Sequence, residues 1–235
     1  MAVVDDAELF GNAEDQHAYE DFCANQEAVE KFTLDKPALV CRWRMSNKKV
    51  PMLNRHIRAL SERLVQGEPL THNMLSWAKQ HVEWSLAEGD YTARDGVLML
   101  VIDVNGNAAM TVGEYEPLAD TSAKALRARS AEARSEADET GVAPELLAAV
   151  NNGELAFVAP ADEFLCGTAT LIEQLAQTKG IPVTRVDIPA QLKGALFLVS
   201  DEHGVVPATE TDAAEADAAT VAFFADGYEK LRARR

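Results

Sequence analysis

The chain has 235 residues, 47% hydrophobic and 26% charged, and its 38 acids against 22 bases leave a net charge of −16. That size and balance suit a folded globular protein of one large or two modest domains. The acidic excess argues against broad contact with nucleic acid or an anionic membrane. No apolar run approaches the roughly 20 residues of a membrane helix. The first residues, MAVVDDAELFGNAEDQ, lack the basic-then-apolar order of a signal peptide, so a cytoplasmic location is expected. Three cysteines without a C-x-x-C pair fit free thiols in a reducing compartment, and the scattered histidines do not form a metal-binding pattern.

In chain order, the acidic opening carries a possible helix near residues 17–32. Residues 38–45 alternate, with Cys41, Trp43 and Met45 on one face and Arg42 and Arg44 on the other, which predicts a half-buried strand. Ser46 to Lys49 supplies a turn. Leu53, Ile57, Leu60 and Leu64 then fall at helical spacing, with Gly67 as the expected stop. A second helix spans residues 73–88. VLMLVIDV (residues 97–104), Asn105-Gly106 and AAMTV predict a hairpin with a type I′ turn. Residues 120–141, rich in Ala, Arg and Glu, read as a largely exposed helix, and LLAAV-NNG-ELAFV as a second hairpin. A helix over residues 168–179 presents Leu171, Ile172, Leu175 and Ala176 as its buried face. An edge-like segment follows, then the core strand ALFLVS (residues 195–200), a GVVP loop, a polar linker at residues 209–220 and a last helix at residues 220–234. Trp43, Trp77 and Trp84 are expected to serve packing.

One charge pattern stands out. Between Cys41 and Leu64 lie seven bases (Arg42, Arg44, Lys48, Lys49, Arg55, Arg58, Arg63) and one acid, Glu62. Such an island could attract a small phosphate or carboxylate, or it could be a solvated face balancing acids elsewhere.

The order of elements from about residue 38 onward resembles the fold-type IV (class IV) pyridoxal-phosphate enzymes, the aminotransferases and aminodeoxychorismate lyases. The resemblance implies an α+β, D-amino-acid-aminotransferase-like fold. A small α/β sandwich domain would occupy residues 1–118, and a larger β-barrel-like α/β domain residues 119–235. It also implies a homodimer and, if the chain is active, pyridoxal 5′-phosphate with an amino acid or other small anion as substrate. Leu53-Asn54-Arg55-His56 is similar to the Leu-x-x-His that opens the family's phosphate-binding helix. Ala59 stands where the family has an arginine, with Arg58 beside it. Ala123-Lys124-Ala125-Leu126 is similar to the family's aldimine-lysine segment, which implies Lys124 as the catalytic amine; the alternative is a solvated first-turn lysine. Gly167-Thr168-Ala169-Thr170 resembles the Gly-x-Thr-Arg phosphate turn without its arginine. The segment from Ser200 through His203 to Pro207 resembles the substrate and phosphate loop, with acids at Asp201 and Glu202. The family's Glu-Gly strand is missing from a shortened stretch, and Glu139 is the nearest acid.

Two functions follow from the resemblance. One is a lyase or aminotransferase, the lyase being nearer in its tail and chain length, with Lys124 as catalyst and Arg58, Gly167, Thr168, Ala169 and His203 about the cofactor. The other is a non-catalytic, cofactor-free relative that keeps the fold and dimer or binds another small anion.

Overall fold

The computed structural model describes residues 33–233 apart from 90, 188, 190, 191 and 211; the helix expected near residues 17–32 lies outside them. The first half builds a three-stranded antiparallel sheet, order β1-β4-β5, from β1 (Pro37–Met45), β4 (Gly96–Asp103) and β5 (Ala108–Gly113). Helices α1 (Leu53–Ser61) and α2 (His72–Glu88) come between β1 and β4. Leu60, Val82 and Leu86 from these helices share one core with Trp43, Met45 and Leu98 from the sheet.

The second half follows helix α3 (Ala123–Thr140), which Ser122 caps at one end and Gly141, in the left-handed conformation, closes at the other. Its sheet has the order β10-β9-β6-β7-β8, from β6 (Leu146–Asn151), β7 (Glu154–Val158), β8 (Val183–Val186), β9 (Ala195–Ser200) and β10 (Gly204–Pro207). Only β7 and β8 run parallel, joined through α4 (Gly167–Thr178). The last helix, α5, spans Glu215–Arg232. Along β9, Phe197 and Val199 join Phe224 of α5 and Ile172 of α4 in one core. Leu196 and Leu198 join Leu126 of α3 in another. Both faces of the strand are therefore buried, which explains its unbroken apolar sequence. Each large side chain so enclosed contributes about 1.5–3 kcal/mol.

Strand β1 seams the two halves. Its Val40 amide donates to the Gly141 carbonyl at 3.0 Å and its Arg44 amide to the Asp201 carbonyl at 2.9 Å. A Cβ at Gly141 would collide with the Ala38 carbonyl, so this approach needs glycine twice over, for space and for its φ of 70°.

Four local expectations change. The helix expected to run to Gly67 stops at Ser61, and β2 (Leu64–Val65) pairs with β3 (Glu68–Pro69). Gln66 and Gly67 both take positive φ, 53° and 85°, so the turn reverses the chain, and Leu64 is exposed rather than on the helix's buried stripe. At Asn105-Gly106 only the glycine has positive φ. That loop is organised by the buried Asp103 carboxylate, which accepts from the Asn105 and Asn107 amides at 2.8 and 2.9 Å. The helix over residues 123–140 is less exposed than expected, since Leu126, Ser130 and Ala133 are buried.

The polar linker is half helix. Glu215 and Asp217 lie in the first turn of α5, where acids favour the dipole. Asp217 is buried and accepts the Asn152 and Gly153 amides, both at 2.9 Å. No helix among the described residues is long and apolar enough to cross a membrane.

Candidate functional site: a helix N-terminus that holds its own anion

Helix α4 begins at Cys166-Gly167-Thr168, and Cys166 offers no side-chain cap. Unsatisfied amides and the positive end of the dipole make such a terminus an anion site. An anion is already there. Asp201, in the turn between β9 and β10, accepts from the Thr168 amide at 2.7 Å and from the Gly167 amide at 3.3 Å. His56 of α1 brings Nδ1 to 3.1 Å from the same carboxylate. Its ring stacks on Trp43 with centroids 5.5 Å apart.

All of this is out of solvent: His56 is 3% and Asp201 9% exposed. Burial alone would push the Asp201 carboxyl up. The His56 charge and the Thr168 amide outweigh it and hold the group down at about 2. Glycine at 167 is a packing requirement, because a Cβ would run into the His56 ring. The Thr168 hydroxyl is buried beside the same carboxylate and also helps hold it down.

Beside this cluster lies a cavity of about 50 Å³, walled by Trp43, His56, Asp201, Glu145, Arg42 and Glu136. Two of its acids are paired with arginines. Arg42 meets Glu136 at 2.5 Å, and Arg129 spans both oxygens of Glu145 at 2.5 and 3.1 Å. His203 stands behind Glu145, Nε2 3.9 Å from its carboxylate and Nδ1 3.4 Å from the Tyr115 hydroxyl. Burial pulls the His203 imidazole below its usual range, favouring the neutral ring. Glu145, Glu202 and His203 could bring ligand atoms within 4.8 Å of one another, but the Arg129 guanidinium already fills the Glu145 carboxylate. The thiols of Cys41 and Cys166 are pushed up by burial, Cys41 to about 12, which disfavours the thiolate.

The residues expected from sequence therefore separate. Gly167, Thr168 and Ala169 are together and buried at the α4 terminus. His203 is near the cavity but not in its wall. Arg58 is on the exposed side of α1, its Nε donating to the Asn54 carbonyl at 3.3 Å. Lys124 is exposed in the first turn of α3 and lines none of the described cavities. Glu139 is exposed on α3, and the acid of the cavity wall is Glu145. The sequence reading assigned no role to Glu145 or to Arg129. A buried acid just before a core strand, sixteen residues after an arginine, gives no signal without the fold.

These residues do not fit pyridoxal phosphate as the chain is folded. The amides that would take the phosphate are bound to Asp201. Position 59 offers only a methyl group, and a cavity of about 50 Å³ is far below the roughly 300 Å³ at which ligand pockets begin.

No family model and no curated protein sequence matches the chain. Solved structures do. A putative branched-chain amino acid aminotransferase from Thermotoga maritima aligns over 88% of this chain and 92% of its own, at 15% identity and TM-score 0.55. A putative 4-amino-4-deoxychorismate lyase from Legionella pneumophila aligns over 86% and 97%, at 11% identity and TM-score 0.56. A hypothetical aminotransferase from Mycobacterium tuberculosis, in its PLP-bound form, aligns over 85% and 94%, at 12% identity and TM-score 0.52. The chain has the fold of the class IV aminotransferases and aminodeoxychorismate lyases, in a widely diverged sequence.

Proposed function

We propose that this chain is a non-catalytic, cofactor-free form of the fold-type IV scaffold, in which Asp201 replaces the cofactor's phosphate as the anion at the N-terminus of α4. The observation that carries this reading is the pair of hydrogen bonds from Gly167 and Thr168 to Asp201. A buried carboxylate with two amides and an imidazolium-capable partner is expensive to displace, because each donor would need another anion. The exposed Lys124 and the paired Glu145 point the same way. Assembly as a homodimer belongs to this reading, and light scattering on the purified chain tests it.

The test of function is an absorbance scan with added pyridoxal phosphate, before and after borohydride, beside Lys124→Ala. The reading predicts no visible band and no reducible adduct that depends on Lys124. A band fixed by borohydride and lost in the variant would restore the lyase or aminotransferase reading.

A further inference from the structure

Three bases of the island are spent on structure. Arg42 pairs with Glu136, the Arg63 guanidinium donates to the Gly141 carbonyl, and Arg44 lies over the Tyr115 ring, 3.1 Å from its centroid. Of the other four, Lys48 and Lys49 lie before α1, and Arg55 and Arg58 are neighbours on it. Arg55 donates to two neutral partners, the Thr170 hydroxyl at 3.1 Å and the Gln174 side-chain carbonyl, and Arg58 to a backbone carbonyl. Neither forms a salt bridge among the described residues. Burial and the Arg58 charge both pull the Arg55 guanidinium below its usual range, as expected of a cation facing another cation.

Both arginines line a second cleft of about 330 Å³ beside the filled site, and Ala59, Phe164 and Leu165 touch both. Arg185 lines it as well. Three acids also line the cleft, and two are taken: Glu163 by Arg134 at 3.0 Å and Glu173 by Arg185 at 3.7 Å. Glu62 is the third. Three guanidiniums and three carboxylates line the cleft, but Arg134 from outside it takes Glu163 and Arg185 takes Glu173, so Arg55 and Arg58 face a single remaining carboxylate, Glu62, in a protein whose net charge is −16. Phe164, 55% exposed, supplies an aromatic wall to the same cleft.

We propose that this cleft between α1 and α4 binds a small oxyanion carried on a planar apolar group, with Arg55 and Arg58 recognising the oxyanion and Phe164 the flat group. Guanidiniums suit planar or tetrahedral oxyanions because their N–H groups form a fork. The volume suits a single-ring molecule. The site shares no donor with the Asp201 cluster, so it stands whether or not the chain takes pyridoxal phosphate.

Calorimetry or NMR titration of the full chain with phenyl phosphate, benzoate and inorganic phosphate tests the proposal. Phenyl phosphate and benzoate are expected to bind, inorganic phosphate more weakly, and added salt to weaken all three. Arg58→Gln leaves the Arg55 bonds to α4 in place and should weaken binding about tenfold, with Arg55→Gln/Arg58→Gln abolishing it. Phe164→Ala should reduce phenyl phosphate to the affinity of inorganic phosphate. Circular dichroism verifies that each variant is folded. Absence of binding at millimolar probe overturns the proposal, and so does binding that Arg58→Gln and Phe164→Ala, both folded, leave unchanged. A Lys124-dependent visible band would overturn the cofactor-free reading and leave this result untouched.

Discussion

Helix α4 meets α1 in two places that use the same chemistry to opposite ends. At its N-terminus, donors and a histidine surround a carboxylate supplied by the chain itself, and no donor hydrogen-bonded to it is left for a ligand. One turn on, Thr170 and Gln174 hold Arg55 through neutral atoms, and no carboxylate forms a salt bridge with it among the described residues. A buried anion site must be filled to be stable, because empty donors out of water cost about 1–3 kcal/mol each. A half-exposed guanidinium can wait for its ligand in water. On the reading proposed above, the scaffold gives up a cofactor at one site and keeps an anion-attracting cleft beside it.

Removing the built-in anion should have the largest effect. Asp201→Ala strips His56 and two amides of their partner and should cost about 3–5 kcal/mol, read by urea unfolding. Loss below about 1 kcal/mol would mean that Asp201 does not hold the terminus. Acid acts on the same group. The folded carboxyl is held at about 2 against an ordinary value of 3.8, so its contribution is fully present above pH 4 and is lost as pH falls toward 2. That loss amounts to about 2 kcal/mol, and it should vanish from the acid limb of Asp201→Asn.

Smaller changes separate the two places further. Gly167→Ala drives a methyl group into the His56 ring and should cost about 1–3 kcal/mol. Asp217→Ala, at the far end of the sheet, frees two turn amides and should cost about 1–2 kcal/mol. Lys124→Ala changes an exposed side chain and should stay within about 0.5 kcal/mol in thermal unfolding. A large loss there would place Lys124 in contact with something that the single chain does not show.

Most of the fold was legible because its strands and helices bury what their periods say they bury. ALFLVS is apolar on both faces since helices cover both, and NNG forms its turn with Asn152 and Gly153 both at positive φ. What failed was local competition. Leu64 continued the helical stripe by coincidence while Gln66-Gly67 reversed the chain. The acids before Thr220 looked like a linker, yet two of them start a helix and one caps a distant turn.

The site was legible by half. Gly167 and Thr168 carry a terminus signal in the sequence, and the acids at 201 and 202 stand out in the loop after the core strand. That Asp201 itself becomes the anion depends on a contact across 33 residues, with His56 arriving from the other half of the chain. No local pattern encodes that meeting.

The most direct test of the central claim is a crystal structure of the protein grown with saturating pyridoxal phosphate. The account predicts the Asp201 carboxylate on the Gly167 and Thr168 amides, with His56 against it and no phosphate at the α4 terminus. A phosphate on those amides, with Asp201 turned away and Lys124 joined to the cofactor, would contradict it.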